Sequence, residues 1–383
     1  MKITALIVGS SLLGPLRRAE EEINRRHGAG LSVRAYNLGA PLDEAEWASV
    51  ERDLGGSEVV FVIHVTDGEN ASRLIELLRR RGESGRAVVV INCMPELMRL
   101  TRMGGLSFGA KADPEGGGGE GRARRLLKGV GSWMGEQARA RRKGSGHKQY
   151  LRLVERMPAL LRFVPNAGRL RDLKHYLYLF CYFLQPTPSN IASMLLYALK
   201  HYGGDARLSD VKVPPPESVP AVGVYHPEAP DIFESFEAYR RWHDARARRA
   251  GTRPLEASKT VGLLLMRTNV VSGTRRHYDA LVRAVEREGL AVLPVISTFM
   301  DNRDACAQFF VGEGKPRVSQ IVSLTGFSFV GGPAMNDSEA AVEFLKGLNV
   351  PLRSAVSLDV QTIESWQESW TGLNPVQAGM QVA

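Results

Sequence analysis

Over roughly the first hundred residues, short β-branched runs alternate with stretches in which apolar residues recur every three or four positions. That rhythm belongs to a parallel sheet covered by helices on both faces. The runs at 3–8, 31–36, 58–65 and 86–92 predict strands, and the stretches at 15–26, 42–54 and 69–81 predict helices. In the last of these helices Leu74, Leu77 and Leu78 share a face, while Pro15 suits the first turn of the earliest. The order is βαβαβαβ, for which right-handed crossovers are expected.

From about residue 150 the pattern turns helical, with long apolar faces. Leu170, Leu173, Leu177, Phe180 and Leu184 form one stripe, and Tyr176, Tyr178, Tyr182 and Phe183 widen it around almost the whole turn, so this helix must be buried. Pro186-Thr187-Pro188 stops it, Ser189 or Asn190 is expected to cap the next helix, and Gly203-Gly204 ends that one. Prolines at 214–216, 220, 227 and 230 favour extended connections before a short helical stretch at 233–249. A second series follows, with strands at 261–266, 291–296, 318–324 and 351–357 and helices at 275–288, 301–310 and 337–348. The expected fold class is therefore α/β: two Rossmann-like or flavodoxin-like parallel-sheet lobes with a helical segment and a Pro-rich connection between them. The corresponding domains are 1–110, an insertion at 111–149, a helical segment at 150–204, the connection at 205–258 and a second α/β domain at 259–383.

Composition adds limits. At 383 residues, 44% hydrophobic and 24% charged, the chain can bury ordinary cores. Cys93, Cys181 and Cys306 are widely separated, which excludes a disulfide framework or a CxxC zinc site and points to a reducing, cytoplasmic setting. The apolar start at Met1 gives way at once to a glycine turn and charge, unlike an export signal. The most apolar later run, 176–184, falls far short of the roughly 20 residues of a transmembrane helix. The net charge of +9 is concentrated between Arg122 and Lys148, where nine Lys or Arg oppose Glu136 alone, a local charge of +8. Flanked by Gly116–Gly119 and Gly144-Ser145-Gly146, that segment reads as a flexible basic insertion and a solvated loop, with contact to acidic lipid, nucleic acid or a partner subunit as the alternative.

Ligands of open α/β sheets bind outside the carboxyl ends of the strands, so the loops there carry the candidate chemistry. Gly9 to Gly14 has GxxxxG spacing but lacks the Lys-Ser/Thr of a phosphate-binding loop, and a structural turn is the expected role. The loop from Thr325 to Ala334 is more distinctive. Its glycines let backbone approach a flat hydrophobic ligand while Phe327 and Phe329 offer stacking faces, although both rings could equally enter the core. The eight histidines, at 27, 64, 147, 175, 201, 226, 243 and 277, include no HxxxH or HExxH pair, so no metal site is expected. In Tyr225-His226-Pro227 a structural hydrogen bond is the commoner role of the imidazole. No serine, cysteine or carboxylate stands in a nucleophile motif.

Five stretches together resemble one family. They are 93–108, beginning Cys93-Met94-Pro95-Glu96-Leu97-Met98; 190–197, beginning Asn190-Ile191-Ala192-Ser193; 223–230, containing Tyr225-His226-Pro227-Glu228; 261–267, ending Met266-Arg267; and 326–334. In this order they resemble the large H subunit of magnesium chelatase, a relative of the cobalt chelatase large subunit, and the first stretch favours the magnesium branch. The resemblance implies ATP-dependent insertion of Mg²⁺ into protoporphyrin IX for chlorophyll or bacteriochlorophyll synthesis. In that scheme this polypeptide holds the porphyrin, Mg²⁺ and protoporphyrin IX are substrates, and ATP is used by two AAA+ motor subunits as partners. Family chains are several times longer and carry their metal-insertion residues further on, so no catalytic residue is expected here and the fragment alone is expected to be inactive. The substrate-contact candidates are Phe327, Gly331 and Gly332, with His226 and Arg267 behind them. Three alternatives compete with the chelatase reading: a non-enzymatic porphyrin-binding or regulatory module, a cobalt chelatase-like subunit and an unrelated bilobal small-molecule binder.

Overall fold

The computed structural model describes residues 1–65, 68–80, 86–109, 157, 161, 164–297, 301–330, 337–358 and 361–382. The basic insertion and the glycines at 331 and 332 lie outside them. The chain divides into two compact units, Met1–Ser218 and Val219–Ala383.

In the first unit, β1 (Lys2–Ile7), α1 (Leu13–His27), β2 (Ser32–Asn37), α2 (Glu44–Gly56), β3 (Val59–Ile63), α3 (Glu69–Arg80) and β4 (Ala87–Ile91) follow the predicted alternation. All five residues of β3 and all five of β4 are buried, as continuous apolar runs require in a sheet covered on both sides. The parallel order is β2-β1-β3-β4. α2 starts in a capping box: the Asp43 carboxylate accepts from the Glu46 amide at 2.7 Å, and Glu46 accepts from the Asp43 amide at 2.9 Å. After a short α4 (Pro95–Met98), a hairpin of β5 (Arg102–Met103) and β6 (Leu106–Ser107) extends the sheet antiparallel. With two residues per strand, it leaves no periodicity to read.

The apolar helix stands as α5 (Gly168–Leu184), followed by α6 (Pro188–Tyr202). Both belong to the first unit, where they share one core with α1 and the face of the sheet carrying Ile3, Val59, Phe61 and Val89. Helices α2 and α3 cover the other face. The cap of α6 is Thr187, which accepts from the Asn190 amide at 3.0 Å, and not Ser189 or Asn190, because Pro188 already occupies the first turn. The Asn190 side chain instead ties down the chain ahead: its Nδ2 donates to Gln185 O at 2.7 Å and Glu217 O at 2.9 Å, and its Oδ1 accepts from the Glu217 amide at 2.8 Å. The Pro-rich connection is thus divided, residues up to 218 belonging to the first unit and the remainder to the second.

The second unit opens with β7 (Gly223–Val224) and α7 (Phe236–Ala250). Then come β8 (Thr260–Met266), α8 (Arg267–Val271), α9 (Arg276–Arg287), β9 (Ala291–Ser297) and α10 (Arg303–Phe309). A small hairpin of β10 (Val311–Gly312) and β11 (Lys315–Pro316) leads to β12 (Gln320–Leu324), α11 (Ser338–Leu348), β13 (Leu352–Ser354), α12 (Ile363–Glu368) and α13 (Pro375–Val382). The sheet runs β13-β12-β8-β9, parallel, with β7 antiparallel on the β9 edge. From its other side the parallel part reads β9-β8-β12-β13, second-first-third-fourth in chain order, the same as β2-β1-β3-β4 in the first unit. Each unit therefore has one point where the winding reverses, between β1 and β3 and between β8 and β12, and there a ligand crevice is expected.

Candidate functional site

At the reversal point of the second unit, β8 and β12 are neighbours, with Leu265 paired to Leu324. Arg267 follows the end of one strand and Phe327 the end of the other, so two of the sequence candidates come to one place. Gly326, at φ +75°, turns the chain where a side chain would be strained. Beyond it the aromatics part company. Phe327, half-buried, packs on the core made by Leu263, Leu265, Tyr278 and Val282, while Phe329 packs on the opposite core, its ring 5.8 Å from Phe344. Gly331 and Gly332 follow outside the described residues.

Beneath this loop the reversal point is bridged by Tyr278 of α9, which is fully buried. Its hydroxyl accepts from the Met266 amide at 3.3 Å and from Asn269 Nδ2 at 3.4 Å, and donates to Leu324 O at 3.2 Å. One phenol thus satisfies groups on both sides. Phe329 O is held by the Asn302 amide at 3.1 Å and Asn302 Nδ2 at 3.0 Å. Asn302 Oδ1 is buried without a hydrogen-bond partner among the described residues, an uncommon and costly state.

Arg267 is buried, its Nε donating to Pro220 O and an Nη to Val219 O, each at 2.8 Å. The guanidinium fastens the start of this unit to the end of β8. His226 lies elsewhere. Because β7 runs antiparallel and the Tyr225 amide bonds to Pro294 O at 2.8 Å, the chain leaves β7 toward the amino ends of the parallel strands. There His226 Nδ1 accepts from the Glu228 amide at 3.2 Å, which puts its proton on Nε2, facing Glu286 at 3.4 Å. Arg246 grips the same Glu286 carboxylate through two bonds of 2.6 and 2.9 Å and reaches Glu228 at 2.7 Å. Burial pushes the Glu286 carboxyl up, but His226 and Arg246 outweigh it and hold it at about 2. The Tyr-His-Pro-Glu stretch is thereby woven into a buried charge network of the second unit.

The Cys93–Phe108 stretch has its own anchor. Asp172 of α5, 1% exposed, accepts from the Gly105 amide at 2.8 Å and from the Tyr202 hydroxyl at 3.0 Å. Since Tyr202 gives its proton to Asp172, it accepts from His175 Nδ1 at 3.0 Å. A Cβ at Gly104, where φ is +54°, would fall 2.6 Å from Asp172 Oδ2, so the Gly104-Gly105 pair is what lets this carboxylate in. Cys93 is inert by comparison: burial pushes its thiol to about 12.

The carboxyl edge of the first sheet drew no candidate from the sequence beyond a structural turn. Gly9, at φ +98°, follows β1, and its amide donates to Asn37 Oδ1 at the end of β2 at 3.1 Å. His64 and Asn92 follow β3 and β4 on adjacent, paired strands, and both take the left-handed conformation, at φ 61° and 51°. A strand-end rule applied to every histidine would have singled out His64. Among the described residues no group of three or more His, Cys, Asp or Glu could hold a metal ion, and no helix is long and apolar enough to cross a membrane.

Two α/β units, each with a parallel sheet covered on both faces and one reversal point, define a protein of the doubly wound α/β class. The family described as CobN/Magnesium Chelatase matches residues 180–383, and a Domain of unknown function (DUF3479) matches residues 2–177. The magnesium-chelatase H subunit of Cereibacter sphaeroides is 31% identical over 382 residues, which are 100% of this chain and 30% of that protein. The chloroplastic magnesium-chelatase ChlH subunit of Oryza sativa subsp. japonica is 27% identical over 387 residues, 100% of this chain and 27% of its own. A solved structure, the Catalytic Subunit of Cobaltochelatase from Mycobacterium tuberculosis, covers 100% of this chain and 23% of that one at 15% identity and a TM-score of 0.44, too loose a likeness to bear on the fold. The chain belongs to the CobN/magnesium chelatase family, and it spans less than a third of the length of these curated relatives.

Proposed function

We propose that this chain is the amino-terminal portion of a magnesium chelatase large subunit and that it helps to hold protoporphyrin IX while Mg²⁺ is inserted. The observation that carries the reading is end-to-end alignment of all of the chain with relatives named as the H or ChlH component of magnesium chelatase. The substrates are then a hydrophobic macrocycle and a divalent cation; ATP hydrolysis falls to two AAA+ partner subunits, and the complex works in the cytoplasm. The half-buried Phe327 ring, set beyond Gly326 at the reversal point, supplies an apolar face for the macrocycle, and Gly331 and Gly332, next in sequence, are assigned to the same contact. Arg267 fastens the start of the unit to the end of β8, beside the strand that carries that loop, and His226 supports the unit from its other end.

The test is a fluorescence titration of the purified chain with deuteroporphyrin IX, a soluble analogue. Saturable quenching is expected, weakened about tenfold in Phe327→Ala, with Phe329→Ala as the control on the opposite core. Absent quenching, or unchanged affinity in a folded Phe327→Ala protein, overturns the assignment of this loop. Adding the chain to a complete chelatase should slow metal insertion by competing for porphyrin.

A further inference from the structure

His64 sits where an imidazole is conformationally expensive. Left-handed backbone strains any residue with a Cβ, and glycine or asparagine fits it best. Asparagine does stand at the adjacent position, Asn92. Nothing in the local framework calls for a histidine: among the described residues neither ring nitrogen has a hydrogen-bond partner, and the ring's neighbour is the edge of Phe183, centroids 5.3 Å apart.

The location is the reversal point of the first sheet. The Val8 amide bonds to Ile63 O at 3.2 Å and the His64 amide to Ile91 O at 3.1 Å, so β1, β3 and β4 end side by side around this residue. The side chain is exposed, yet desolvation lowers its pKa to about 4. An exposed imidazole with neither nitrogen hydrogen-bonded among the described residues, standing where a crevice is expected, can offer a lone pair to a ligand. Among the described residues no lysine or arginine contact accompanies it at the ends of β1 to β4, which disfavours an anionic ligand. Neutral imidazole is the commonest side-chain ligand of metal ions. One donor cannot build a coordination sphere, however, and no cluster of three ligands accompanies it among the described residues. It can only complete the sphere of a metal that arrives with its other positions filled.

We infer that His64, at the strand reversal point of the first unit, is an axial ligand for a metal already held in a planar macrocycle, making this edge a site for a metallated tetrapyrrole distinct from the Phe327 loop. The inference rests on the porphyrin reading above and goes beyond it: metal-free substrate engages the Phe327 loop, and a metallated tetrapyrrole engages His64 at this separate site. No covalent bond is made or broken beyond coordination of the imidazole nitrogen.

The experiment titrates the full chain with zinc deuteroporphyrin and, in parallel, with metal-free deuteroporphyrin. For the zinc compound a red-shifted Soret band, typical of one axial imidazole, is expected. His64→Gly relieves the backbone and should melt no lower than the wild type, so loss of binding cannot be ascribed to unfolding. That variant should lose the Soret shift and at least tenfold in affinity for the zinc compound, keep its affinity for the metal-free one, and regain the shift when free imidazole is added. No shift in the wild-type chain, or a shift that survives His64→Gly, overturns the inference. Failure of both porphyrins to bind overturns the porphyrin reading itself.

Discussion

The two units wind their parallel strands in the same order and treat the reversal point in opposite ways. In the second, Tyr278 reaches across from α9 beneath the Phe327 loop and satisfies the backbone of β8 and β12 with one hydroxyl, so a buried phenol occupies the reversal point. In the first, no side chain among the described residues bridges the corresponding position; a strained, accessible imidazole stands there instead. Topology sets where a crevice can form, and a single residue decides whether it is structural or open.

The comparison is broken most forcefully at Tyr278. Tyr278→Ala leaves a large void and orphans the Met266 amide and Leu324 carbonyl, for an expected loss of about 4 kcal/mol. Urea unfolding followed by hydrogen exchange in α9 should show it, while β1 to β4 keep their protection. If the first unit loosens equally, the units do not fold as separate bodies. In the first unit, Gly104→Ala drives a methyl group against Asp172 at a left-handed position and should cost about 2 kcal/mol, with the Gly105 amide losing its exchange protection.

Acid offers a finer contrast. His243, 1% exposed, has neither ring nitrogen hydrogen-bonded among the described residues, and burial, reinforced by His226 and Arg246, lowers its pKa to about 4. The unfolded chain takes up this proton near pH 6.5 but the folded chain only near 4, so between those values the unfolded state binds more protons and stability falls as pH drops. His243→Phe removes the effect: between pH 7.5 and pH 5 the second unit of the variant should lose roughly 2 kcal/mol less than wild type. Parallel pH curves for the two proteins would contradict the assignment.

Much of the fold was legible because its strands are unbroken apolar runs. Ala87 to Ile91 is apolar throughout and reads as a doubly covered strand, and the helices between such runs carry clear stripes. Strand order was not legible, since βαβ units in either direction have the same pattern. The two-residue strands β5, β6 and β7 are too short to show a period. The 205–258 stretch looked uniform because proline count reports extension and says nothing of which core the segment joins. At the candidate site, Phe327 is singled out by its glycine neighbours, whereas Tyr278 reads like any aromatic on an apolar helix face, and the left-handed turn at His64 leaves no mark in residue type. His226 and Arg267 were noticed for their chemistry, but their partners, Glu286 and the carbonyls of Val219 and Pro220, are distant in sequence or belong to the backbone.

Asp172 has a consequence for tolerance to change in chain length. It binds Gly105 on one side of the 110–156 stretch from within α5 on the other, and the Phe108 ring lies 5.0 Å from Tyr176. The framework itself therefore holds the two points of departure and return together, and doubling the span between them costs only about 0.6 kcal/mol of closure entropy. Homologues are free to lengthen, shorten or recharge this stretch, and a fluorescent domain spliced into it should report on the first unit without disturbing its sheet.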